Sequence, residues 1–214
     1  MFNKSLVFQK GNLTMYNNNR GLRVKDLISI GLYTAFYFAM ILVSNLIIVF
    51  LIPGYSYIYI PVVVALLSGL PFMLLYAKVP RFGAITIMGA VPGIFQTIMG
   101  LSSWAFIYGI IVGLLADLIA QQVKHKNKKG ALASYTVFSF NSVAPTLPMF
   151  FTPDVYVEQL ISDGRDADYI ASAFENISQT TFWLLVIGII IAALIGGYFG
   201  QKMLKKHFEK AGIV

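Results

Sequence analysis

The sequence contains no cysteine, which excludes disulfides, thiolate metal sites and a cysteine nucleophile. It has two histidines. Both, His125 and His207, sit among lysines outside the apolar stretches, where no His-based metal cluster is expected. There is no G-x-x-x-x-G-K-[ST] phosphate loop and no G-x-S-x-G, so neither ATP hydrolysis nor α/β-hydrolase chemistry is indicated. Charge is also scarce: 12% of residues are charged, against about 25% in a soluble domain. With 57% hydrophobic residues and a mean hydropathy of +0.74, a soluble enzyme is ruled out.

Four long stretches of the 214-residue chain lack Asp, Glu, Lys and Arg: Leu27 to Ala77, Phe82 to Ala116, Gly130 to Pro153 and Asn176 to Gln201. A crossing helix needs about 20 apolar residues. The first two stretches therefore accommodate two crossings each, and the last two one each. Turn-forming and polar clusters divide them into helices at about 27–51, 58–77, 82–98, 104–123, 131–151 and 177–201. The expected fold is an all-α membrane protein with six transmembrane helices. One membrane domain spans 25–206, between a polar N-terminal tail (1–24) and a short C-terminal tail (207–214). That first segment lacks the apolar core of a signal peptide, and Met15 is a credible alternative start.

The few charges set a direction. With the N-terminus inside, 15 of 16 basic residues fall on the cytoplasmic side, Arg165 being the exception. The positive-inside rule then puts both termini in the cytoplasm. The net charge of +7 becomes a topology signal rather than a nucleic-acid footprint, since lysines at helix ends anchor to anionic headgroups. The outer loop at 152–176 reverses the sign, with six acidic residues between Asp154 and Glu175 against Arg165. Val157, Leu160 and Ile161, then Tyr169, Ile170, Ala173 and Phe174, recur at helical spacing around Asp163-Gly164. This predicts a lid of one or two short amphipathic helices. Its acids read as a solvated face; a calcium site is the alternative, although their spacing is not that of an EF-hand.

Small residues mark close helix approach in lipid. Gly109 and Gly113 on the fourth crossing, and Gly188, Ala192, Gly196 and Gly200 on the sixth, read as internal seams. Gly31, Ala35 and Ala39 lie in the cytoplasmic half of the first crossing, where a partner membrane subunit would dock. Asp117 is the one acid near a membrane segment that topology does not place in a loop. It reads as a hydrated or lysine-paired carboxylate about two turns from Lys124, with a coupling-ion site or partner contact as the alternative. An interior otherwise free of charge argues against a proton- or sodium-driven carrier.

Polar and aromatic residues are biased towards the outer half. An amide in hydrocarbon needs a partner, and Asn45, Gln96 and Asn141 are placed to converge from three helices. Trp104, Tyr108, Asn141 and Trp183, with Gln179, are expected to contribute to one substrate site for a small, largely uncharged ligand. An aromatic belt with helix–helix hydrogen bonds is the plainer account of part of this set.

Three segments carry a family likeness. Val24-Lys25-Asp26-Leu27-Ile28, the run Gly113-Leu114-Leu115-Ala116-Asp117-Leu118-Ile119, and the tail from Gly196-Gly197 through Lys205-Lys206-His207-Phe208-Glu209-Lys210-Ala211-Gly212-Ile213-Val214 resemble the MptD-type (Trep-Strep) S components of energy-coupling factor transporters. The resemblance implies a six-helix substrate-binding subunit, without a cofactor or activity of its own, in a bacterial cell membrane. Its partners would be a transmembrane coupling subunit and two ABC-type ATPases. The family's docking motif maps onto Gly31, Ala35 and Ala39, with glycine replacing the more usual alanine at the first position. Family members capture substrate at the outer face, which corresponds here to Pro53 to Tyr59, Gly100 to Ser103 and Asp154 to Glu175, and then topple to deliver it. The expected cargo is a vitamin-like micronutrient. Two readings compete: a standalone secondary carrier of a neutral or cationic solute, and an intramembrane enzyme, for which the helices offer neither a nucleophile nor paired acids.

Overall fold

The computed structural model describes residues 21–51, 56–100, 104–123, 127–162, 164–175 and 177–208. Most of the N-terminal tail, Pro53 to Tyr55, Leu101 to Ser103, Lys124 to Lys126 and the tail beyond Phe208 lie outside these residues. Among the described residues there is no strand. The helices are α1 (Val24–Leu51), α2 (Ser56–Leu67), α3 (Gly69–Lys78), α4 (Ala84–Ile98), α5 (Ala105–Gln122), α6 (Lys128–Ser139), α7 (Leu147–Phe151), α8 (Pro153–Ser162), α9 (Ala167–Phe174) and α10 (Gln179–Met203). A 3-10 turn at Phe140–Val143 follows α6, and a π turn at Leu204–Phe208 follows α10.

The first, third, fourth and sixth expected helices appear as α1, α4, α5 and α10, within three residues at each end. The second and fifth are each broken, and proline is the reason in both. Pro71 has no N–H to give the carbonyl of Leu67, and its ring crowds that carbonyl. The chain bends by 45° between Ile58–Leu67 and Gly69–Lys78. In the expected helix at 131–151, Pro145 and Pro148 remove two ladder donors one turn apart. The helix there tightens into the 3-10 turn and restarts as α7. Three helices are long and apolar enough to cross a membrane by themselves, namely α1, α5 and α10 with its π turn; α2 and α3 make a fourth if the bent pair is one span. At 15 residues, α4 is about 22 Å long, short of a roughly 30 Å hydrocarbon core.

The apolar helices close a ring. Around it, α1 packs on α2 and α3, these on α10, α10 on α6, α6 on α5, α5 on α4, and α4 again on α1. The centre is aromatic. Phe72 stacks against Tyr135 and Phe138 at 5.0 and 5.1 Å between ring centroids, and Tyr37 meets Phe138 at 5.3 Å. The Tyr135 hydroxyl donates to the carbonyl of Ala65 (2.6 Å), next to the α2–α3 break. Outside the ring, α1, α5 and α10 expose Leu42, Leu46, Ile111, Leu115, Ile187 and Ile191. Faces this apolar on all sides suit lipid, not water.

One end of the ring is basic. Arg81 donates to the carbonyl of Gly21 (2.7 Å) and pairs with Asp26 at 3.2 Å. Asp26 also accepts from the backbone N–H of Arg23 (2.9 Å), capping the first turn of α1. Gln201 donates to the carbonyl of Lys128 (2.8 Å), so the end of α10 and the start of α6 meet at the same end. The opposite end carries the acidic lid, where α8 and α9 fold as expected around Gly164 at φ 76°. Gln159 on α8 ties the lid to the α4–α5 connection through the carbonyl of Gly100 (2.7 Å). The lid's apolar anchors are Tyr156 and Leu160, whereas Ile161 is exposed. Arg81→Ala should lower thermal stability only modestly, by about 1 kcal/mol, because the ion pair is partly exposed; a melting curve in detergent checks this.

Candidate functional site

At the acidic end, α7, α9 and α10 enclose a cleft of about 620 Å³. The proline break sets it up by detaching α7 from α6 and turning Phe150 and Phe151 towards the start of α10. There Phe182 meets them at 5.3 and 5.6 Å between centroids, and Trp183 adjoins Phe182 at 5.6 Å. Met149, Phe174 and Gln179 complete the walls. Ser178 caps α10 by accepting from the backbone N–H of Thr181 (3.1 Å), which fixes where Gln179 and Trp183 leave the helix.

The expected substrate residues divide into separate groups. Gln179 and Trp183 line the cleft. Trp104 does not: it is 71% exposed on the outer surface, in the position of an interfacial aromatic. Asn141 is buried in the 3-10 turn, where it donates to the carbonyl of Gly89 (3.3 Å) and is paired with the hydroxyl of Tyr37. Tyr108 donates to the carbonyl of Phe140 (3.2 Å), one residue away. Tyr108 thus satisfies a backbone carbonyl at the helix break, while Asn141 ties the break to α4. The three amides do not pair with one another. Asn45 turns back to the carbonyl of Ile41 on its own helix (2.8 Å), and the buried Oε1 of Gln96 has no hydrogen-bond partner among the described residues. The sequence reading missed the phenylalanines of the cleft, because a phenylalanine in an apolar run does not reveal which way it faces.

Asp117 pairs with no lysine among the described residues, Lys124 lying outside them. It is fully buried and caps α4 from a neighbouring helix. Its Oδ2 accepts from the backbone N–H groups of Gly83 (3.0 Å) and Thr86 (2.8 Å) and from the Thr86 hydroxyl (2.6 Å). Gly83, at φ 94°, supplies the left-handed turn that points these donors at α5. A carboxylate at the positive end of a helix dipole is stabilised there, although its Oδ1 has no hydrogen-bond partner among the described residues.

The small-residue stripes behave in two ways. A Cβ on Gly109 would run into the carbonyl of Gly89, one on Gly93 into that of Ala105, and one on Gly196 into that of Leu66; Gly69 and Gly200 press on Gly196 and Gly69 in turn. These seams join α4 to α5 and α10 to the α2–α3 break. Gly31 differs, since nothing lies within 4 Å of a Cβ built there. Ala35 is exposed and Ala39 half-buried on the same side of α1. The stripe on α1 is therefore left open by the chain's own packing.

No curated protein and no solved structure matches the chain. A family model does, over residues 24–210, from the first residue of α1 to beyond the π turn. With its apolar helical ring, the chain belongs to the Trep_Strep family, described as hypothetical bacterial integral membrane proteins.

Proposed function

We propose that this protein is the substrate-binding subunit of an energy-coupling factor importer in a bacterial plasma membrane. In this reading the ring crosses the membrane six times, with its basic end and both termini in the cytoplasm and the lid outside. A small solute is captured at the acidic end. A transmembrane coupling subunit then docks on the open stripe of α1, and two ABC-type ATPases supply the energy. The chain itself performs no chemistry.

The observation that carries this reading is the contrast between glycines. In the seams of α4, α5 and α10, a glycine sits where a neighbouring backbone demands it. The stripe of Gly31, Ala35 and Ala39 leaves its smallest position open, although in lipid such a stripe serves close helix approach. Family resemblance assigns the same three positions to docking, which supports the choice of partner.

The test separates folding from assembly. Gly31→Leu should leave the melting temperature and the size-exclusion profile of the isolated subunit unchanged. It should reduce co-purification of a co-expressed coupling subunit and ATPase pair at least tenfold. Normal assembly and transport by this variant would sink the docking assignment. Solute uptake by the chain alone in liposomes, without ATPases, would favour a standalone carrier instead.

A further inference from the structure

The walls of the outer cleft define the class of molecule they would hold. Phe150 and Phe151 of α7 meet Phe182 of α10 ring to ring, and Trp183 adjoins Phe182, so the four side chains form one aromatic wall on which Phe151 and Trp183 are exposed. The Phe151 and Phe182 rings stand edge to face at 85°, and Phe174 contributes from the lid. Among the described residues no Asp, Glu, Lys or Arg lines the cleft. Asp154, Glu158 and Asp168 of the lid are exposed and lie off its walls.

A charged ligand would therefore give up hydration with no counter-charge to replace it. A saturated ligand would gain burial but not the ring–ring geometry that aromatic walls offer. One polar group is available for orientation. The Gln179 side chain lines the cleft and makes no hydrogen bond to another described residue, whereas the Ser178 hydroxyl is already engaged with Thr181. The volume suits a molecule of ordinary drug or cofactor size.

We infer that the cleft binds an uncharged small molecule bearing a planar aromatic ring, which packs against the exposed Phe151 and Trp183 while a carbonyl or amide of the ligand pairs with Gln179. The inference rests on the proposed reading of this end as the capture site, and it narrows that reading from small solutes in general to neutral aromatic ones.

The protein has two tryptophans, and Trp104 lies away from the cleft. The Trp104→Phe variant of the full chain, purified in detergent, leaves Trp183 as a fluorescence reporter on the cleft's wall. Four probes share one size and differ in one property each: benzamide, cyclohexanecarboxamide, benzylammonium and benzoate. Benzamide should quench Trp183 saturably at a concentration at least tenfold below the other three. Adding Gln179→Leu, at an exposed position, should raise that concentration about fivefold.

Equal or tighter binding of cyclohexanecarboxamide would overturn the inference and mark the cleft as a slot for aliphatic chains. Tighter benzylammonium would make it a cation site working through the ring faces, and tighter benzoate an anion site. Absence of saturable quenching by all four probes would also overturn it. If any of these results came with intact co-purification of the coupling subunit, the importer reading would stand and the ligand class alone would fall. Benzamide binding without co-purification would give the converse.

Discussion

Gly196→Leu should abolish recovery of monodisperse protein, the largest effect expected of any single substitution here. A side chain at this position meets the carbonyl of Leu66, and Gly69 and Gly200 close the same seam. The obstacle is backbone, which cannot change rotamer. Overpacking an ordinary core costs about 1–3 kcal/mol, and separating α10 from the α2–α3 break should cost more. The Tyr135 hydroxyl bond to Ala65 lies beside the seam and would be strained with it. Gly196→Ala, adding only a methyl group, should lower the melting temperature measurably while leaving a folded protein. Size-exclusion chromatography and thermal melts in detergent, run beside Gly31→Leu, make the comparison internal. A Gly196→Leu protein as stable as wild type would show that α10 does not pack there.

Asp117→Ala should cost about 3–5 kcal/mol. Two backbone N–H groups and the Thr86 hydroxyl would lose their acceptor inside the bundle, and each buried unsatisfied group costs roughly 1–3 kcal/mol. Asp117→Asn keeps one carbonyl oxygen for the same donors and should recover about half of the loss. The expected signature is a fall in melting temperature in the order wild type, Asn, Ala, with the yield of folded protein following the same order. A different result would sink the capping role. If both variants melted like wild type and yet failed to transport, Asp117 would belong to ion coupling or partner contact.

The chain's class was legible in its composition, and much of its organisation in its punctuation. Charge-free stretches located α1, α4, α5 and α10, and apolar residues at helical spacing in the acidic loop located α8 and α9. The two broken helices were misjudged although their cause was visible. Pro71, Pro145 and Pro148 all stand in the sequence, but a membrane helix can keep a proline when neighbours satisfy the freed carbonyls. Whether a ladder bends, breaks or carries on depends on those neighbours. At Asn141 the freed groups are met by Tyr108 and by the turn itself, and the helix breaks.

Facing was harder to read than position. In a soluble helix the polar side faces water, so periodicity reveals the core. Around α1, α5 and α10 both the lipid side and the protein side are apolar, and the pattern loses that meaning. Trp104 and Trp183 looked equivalent, and both are exposed, yet only Trp183 borders the cleft. Gly31 and Gly196 looked equivalent too, both being small residues at four-residue spacing.

By itself the sequence determined the solvent: apolar length and scarcity of charge place this chain in a bilayer, and its lysines gather at one end of the helices because they cannot cross hydrocarbon. The tertiary structure decided which surfaces are spent inside the ring and which remain free. That choice depends on backbone contacts between segments distant in sequence, such as Gly69 with Gly196 and Gly83 with Asp117. Such contacts leave no periodic mark on either segment alone.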